Sequence, residues 1–61
     1  MKTYQEMVQF VAEEVTTGRK DLRYVKWAAA MVIAETYEVA LEQVHADIAT
    51  TIAAAEVIFA G

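Results

Sequence analysis

The sequence contains no cysteine, no proline and no serine, and its 61 residues hold two glycines and one histidine. Without cysteine there is neither a disulfide framework nor a thiolate metal site, the supports on which many chains of this size rely. A single imidazole does not build a structural zinc site alone. With serine and cysteine absent, the hydroxyl nucleophiles are threonines, and none has a histidine and a carboxylate spaced to activate it. Gly18 and Gly61 stand apart, so no glycine-rich phosphate loop exists. A helical chain this short also lacks the volume for a sizeable concave pocket. The expectation is a protein that is not an enzyme and carries no cofactor.

Positive charge is equally scarce. Five Lys and Arg against nine Asp and Glu leave a net charge of −4, and no basic residue follows Lys26. That balance argues against a nucleic-acid binder, which presents a basic face to phosphate. A membrane-length apolar run is missing as well: the tract from Ile48 to Ala60 is interrupted by Thr50, Thr51 and Glu56 and falls short of the ~20 residues a bilayer requires. Met1-Lys2-Thr3 leads directly into a mixed pattern with Glu6 already present, unlike a signal peptide. A cytoplasmic protein without a membrane anchor is expected.

What the chain does have is helix-forming, alanine-rich hydrophobicity, 57% of its residues. Its centre is Trp27-Ala28-Ala29-Ala30-Met31-Val32-Ile33-Ala34, apolar on every side of a helix, whereas a surface helix needs one apolar stripe. Such a run is either buried all round or partly left for a partner. The fold class is all-α. One domain, 1–61, is read as a small three-helix bundle with helices over about 3–17, 21–36 and 39–59.

The helix boundaries rest on local signals. Thr3-Tyr4-Gln5-Glu6 is a capping box, and Tyr4, Met7, Val8, Val11 and Val15 follow at core spacing. Gly18 suits the left-handed residue that closes helices, and Asp21 is the N-cap of the next. From Arg19 to Ala60 there is neither Gly nor Pro, and Trp27, Ala30, Ala34, Tyr37, Leu41, Val44 and Ile48 fall on successive a and d heptad positions. The alternative is therefore a helical hairpin whose long C-terminal helix, about 57 Å, would need a second subunit to cover it. A break is preferred at Thr36-Tyr37-Glu38-Val39, where helix propensity is lowest. In the three-helix version Leu22, Val25, Ala29, Val32 and Val39 form a second stripe to be covered by a neighbouring helix. Leu41, Val44, Ile48, Ile52, Ala55 and Phe59 are expected to point inward from the last helix, and Gly61 to end it. The residual apolar patch is expected around Trp27, Ala28, Ala30 and Met31.

Three constellations could carry function. Arg19, Lys20, Arg23 and Lys26 make a basic corner on an acidic body. Within it Tyr24, Trp27 and Met31, at spacings of three and four, share a helix face flanked by Arg23 and Lys26, the aromatic and cationic anchors that protein interfaces favour. The expected partner-binding residues are Arg23, Tyr24, Lys26, Trp27 and Met31, and a partner would present an acidic rim around an apolar pocket. Second, Glu35, Glu38, Glu42 and His45 fall along one side of a continuous helix, and Glu42-Gln43-Val44-His45 resembles the Glu-x-x-His pattern of ferritin-like di-iron carboxylate bundles. The resemblance implies a metal site at Glu38, Glu42 and His45. Those families draw more carboxylates from neighbouring helices, where this chain has Glu6, Glu13 and Glu14, so a solvated acidic stripe is expected and no metal. Third, Ile33-Ala34, Tyr37, Val39 and Val44 are similar to a helix-turn-helix, with Glu38 where the turn glycine would stand. Glu42 and Asp47 would then face phosphates, so the similarity implies a bend and not DNA reading.

The reading that follows is a small helical protein-interaction module that binds another protein, as adaptor or stoichiometric inhibitor. A structural homo-oligomer and a metal-binding bundle are the alternatives, so the partner is another protein or a second copy of the chain. By size alone it fits the short accessory proteins of phages and mobile elements.

Overall fold

The computed structural model describes residues 2–60, with side chains described through residue 56. Helix α1 is Tyr4–Thr16. Helix α2 begins as the turn Leu22–Tyr24, widens into a π-helical stretch Val25–Ala29 and continues as Ala30–Tyr37. Helix α3 is Leu41–Ala60. The three pack as an all-α bundle, and the long C-terminal segment is broken where propensity dips.

Each helix boundary has a chemical cause. At the start of α1 the Glu6 amide donates to Thr3 Oγ1 at 3.2 Å, and the Thr3 amide donates to Glu6 Oε1 at 3.0 Å, so two otherwise orphaned donors are satisfied reciprocally. The Thr3 amide holds the Glu6 carboxyl below its usual range. The end of α1 is a Schellman turn: Gly18 has φ 77°, its amide donates to the Val15 carbonyl at 3.1 Å, and the Arg19 amide reaches the Glu14 carbonyl at 2.9 Å. Asp21 then caps α2 by accepting from the Arg23 amide at 2.7 Å.

The bend between α2 and α3 uses the same device without glycine. Glu38 takes the left-handed conformation, φ 54° and ψ 45°, and the Val39 amide returns to the Ala34 carbonyl at 3.1 Å. Val39 is tucked half-buried against the core as the turn's hydrophobic contact.

The core lies where the three helices meet: Val8 and Val11 from α1, Val25, Ala30 and Ile33 from α2, and Val44 and Ile48 from α3. Ala12 is buried as well, letting α1 approach closely. Around its edge Tyr4 and Tyr37 meet edge-to-face at 5.9 Å. The Tyr4 hydroxyl donates to Asp47 Oδ2 at 2.5 Å, Gln43 Nε2 donates to Asp47 Oδ1 at 2.9 Å, and the Tyr37 hydroxyl donates to the Lys2 carbonyl at 2.6 Å. Asp47 is thus engaged by α1 and does not point to solvent as a helix-turn-helix reading requires. Desolvation, reinforced by the hydrogen bond to Asp47, pushes the Tyr4 phenol up to about 12.

Several expected inward residues face out. Leu22 and Val32, read as a stripe covered by a neighbour, are exposed, and so are Trp27 and Leu41 from the heptad. The heptad holds at Ala30, Val44 and Ile48, which are buried, and at Ala34 and Tyr37, which pack against the core; it breaks at Leu41, next to the fold-back at 38–40, and at Trp27, inside the π-helical turn. Conversely Ala30, assigned to the surface patch, is completely buried. The inward placement of Phe59 and the helix end at Gly61 lie outside the described residues. Among the described residues, no helix is long and apolar enough to cross a membrane.

Candidate functional site

The run Trp27–Ala34 makes the middle of helix α2 apolar on all sides, and α1 and α3 cover two of them. The third remains open. Tyr24, Trp27, Met31 and Val32 lie along it, with Trp27 72% and Val32 61% exposed, and Ala28 sits exposed between them. Across from Tyr24 and Val32, half-exposed Phe10 of α1 forms the far wall of a groove of about 350 Å³. Its floor includes Val11, Val25 and Ile33, which belong to the core, so the groove opens directly onto the hydrophobic interior. Lys20 and Glu14 stand at its mouth, and Lys20 Nζ lies 5.0 Å from the centre of the Tyr24 ring, a cation–π contact.

Of the residues expected to bind a partner, Arg23, Tyr24, Lys26, Trp27 and Met31 are all exposed on α2. Trp27 sits in the middle of the π-helical stretch, whose wider hydrogen bonding is shown by the Ala30 amide donating to the Val25 carbonyl, five residues back. Sequence reasoning missed Phe10 and Val32 as members of this surface. Val32 belongs to a stripe expected to be covered and Phe10 lies beside the α1 stripe, and periodicity alone does not say which apolar side remains uncovered.

The acidic stripe does not assemble. Glu38 occupies the turn, which cuts the continuous helix that would have aligned Glu35, Glu38, Glu42 and His45. Among the described residues, no three carboxylate, imidazole or thiol groups gather to hold a metal ion. His45 serves differently: its Nε2 lies 3.0 Å from the Lys26 carbonyl. A carbonyl can only accept, so Nε2 carries the proton, and the imidazole ties α3 to the π-helical stretch at Lys26.

Charge runs along α2 in one direction. Arg23 and Lys26 lie at its N-terminal end, just after Arg19 and Lys20, while Glu35 and Glu38 lie at its C-terminal end. This order opposes the helix dipole, which favours anions at the N-terminus and cations at the C-terminus by about 0.3–1 kcal/mol each. Comparisons with protein-family models, curated proteins and solved structures return no match.

Proposed function

We propose that this protein acts by docking the exposed face of α2 onto a complementary protein surface, by surface and not by chemistry. The observation that carries the reading is the row Tyr24, Trp27, Met31 and Val32, all exposed on α2, with Phe10 across the groove. Isolated exposed hydrophobics are ordinary on monomers, but an aromatic-rich contiguous patch with basic residues at one end has the make-up of a protein interface. A matching partner is an apolar helical strip with acidic groups facing Arg23 and Lys26 and basic groups facing Glu35. An adaptor and a stoichiometric inhibitor both work in this way, and a cytoplasmic setting suits the absence of cysteine.

The test is site-specific photo-cross-linking in the cells that produce the protein, with p-benzoylphenylalanine in place of Trp27 and, separately, in place of Glu42. A protein adduct formed from position 27 and not from position 42 supports the reading. An adduct from position 42 with none from 27 would move the docking face to the acidic side of α3 and refute it.

A further inference from the structure

From the charge order along α2 we infer that the surface docked on this face is α2 of a second copy, lying antiparallel across it about a two-fold axis near Ala29. The inference rests on the docking face proposed above and names its occupant. Arg23, Trp27, Met31 and Glu35 are spaced by four, and all are exposed. In a straight α-helix such a row drifts slowly around the axis, and the wider π-helical turn within it counteracts the drift. Read in one direction the row is cation, aromatic, thioether, anion. Reversed, it is its own complement: Arg23 meets Glu35 of the second copy, Trp27 meets its Met31, and both relations repeat through the two-fold. An isologous interface demands this self-complementarity. Sulfur–aromatic contact is favourable, and exposed Ala28 near the axis lets the two backbones approach.

Two further observations point the same way. Arg23 and Glu35 are twelve residues apart on one helix, about 18 Å, and cannot pair within a chain. Their placement against the helix dipole is unfavourable in the isolated monomer, and an antiparallel neighbour answers it by bringing opposite charges and opposed dipoles to both ends. A parallel pairing would instead set Arg23 on Arg23. With a net charge of −4 on each copy, association gains from the one orientation in which local charges attract.

The experiment is a charge swap read by sedimentation equilibrium across the micromolar range. The wild-type chain is expected to approach twice its 6.8 kDa mass as concentration rises. R23E and E35R should each raise the dissociation constant about tenfold, because each turns two attractive pairs into repulsive ones. The double variant R23E/E35R should return it to the wild-type range. Circular dichroism confirms that each variant is folded, and since both positions are exposed, either single variant suffices should the other lose helix. A wild-type chain that stays monomeric overturns the inference, as does a dimer indifferent to the single swaps or not rescued by the double. The cross-link then separates the two proposals. An adduct from position 27 at twice the chain mass supports both. An adduct to a different protein from a monomeric chain leaves the docking face standing and removes the second copy.

Discussion

Trp27 and Ile33 sit six residues apart on α2, and the structure predicts that truncating them has opposite consequences. Ile33 is 1% exposed in the centre of the core. Removing such a side chain to Ala costs about 2–5 kcal/mol through lost transfer energy and the cavity left behind. A domain of this size has roughly 3–9 kcal/mol of total stability, from ~0.05–0.15 kcal/mol per residue, so Ile33→Ala removes a large share of it. Trp27 is 72% exposed. A little over a quarter of a surface of roughly 200 Å² is covered, about 50 Å², which corresponds to ~1 kcal/mol at ~25 cal/mol per Å². The better helix propensity of Ala offsets part of that, so Trp27→Ala should lose less than about 1 kcal/mol. Urea unfolding followed by far-ultraviolet circular dichroism measures both, at protein concentrations low enough that association does not contribute. Trp27→Ala destabilising the chain as much as Ile33→Ala would mean the indole is part of the core, and the docking face would lose its principal anchor.

The remaining predictions concern the caps and one hydrogen bond. Thr3→Ala should cost about 1 kcal/mol, because it deletes the acceptor for the Glu6 amide; an unchanged urea midpoint would show the box contributes nothing. Glu38→Gly should be neutral to stabilising by up to about 1 kcal/mol in the same assay, since glycine takes the left-handed turn without the penalty of a side chain, whereas Glu38→Val should destabilise. Tyr4 favours its neutral phenol in the folded state, so its contribution is fully present below about pH 10 and is lost as pH rises toward about 12. An ultraviolet titration of the phenols should show a late-ionising tyrosine that disappears in Tyr4→Phe, and an unaltered profile would refute the Tyr4–Asp47 bond.

The legibility of the turns in the sequence depended on whether a turn needed a distinctive residue. At the end of α1 the left-handed position is filled by glycine, so Gly18 announced the bend, and Thr3 and Asp21 announced the helix starts by the side chains that caps require. At the end of α2 the same left-handed position is filled by Glu38, which carries no such signal. Only the drop in helix propensity over Thr36–Val39 and the similarity to a helix-turn-helix suggested a bend there. The geometry is paid for by Val39, which seats against the core and returns its amide to Ala34. Tertiary packing therefore fixed a turn that local preference left open.

The docking face was legible in kind and not in extent. An all-round apolar helix in so short a chain implies surplus hydrophobic surface, because two neighbours cannot enclose a third helix completely. Which side stays open depends on rotation about the helix axis, and that is altered by the π-helical stretch at Val25–Ala29, for which sequence periodicity has no marker. Hence Ala30 was assigned to the patch and is buried, while Val32 was assigned to a covered stripe and is open. The charge order was visible throughout, since Arg23 and Glu35 need no structure to be counted. Its meaning required knowing that both are exposed beside Trp27 and Met31 on one α2 face, and too far apart to satisfy each other. A helix that sets Arg23 and Glu35 against its own dipole, too far apart to pair with each other, is locally inconsistent as a monomer. The inconsistency disappears when the same helix lies reversed against itself.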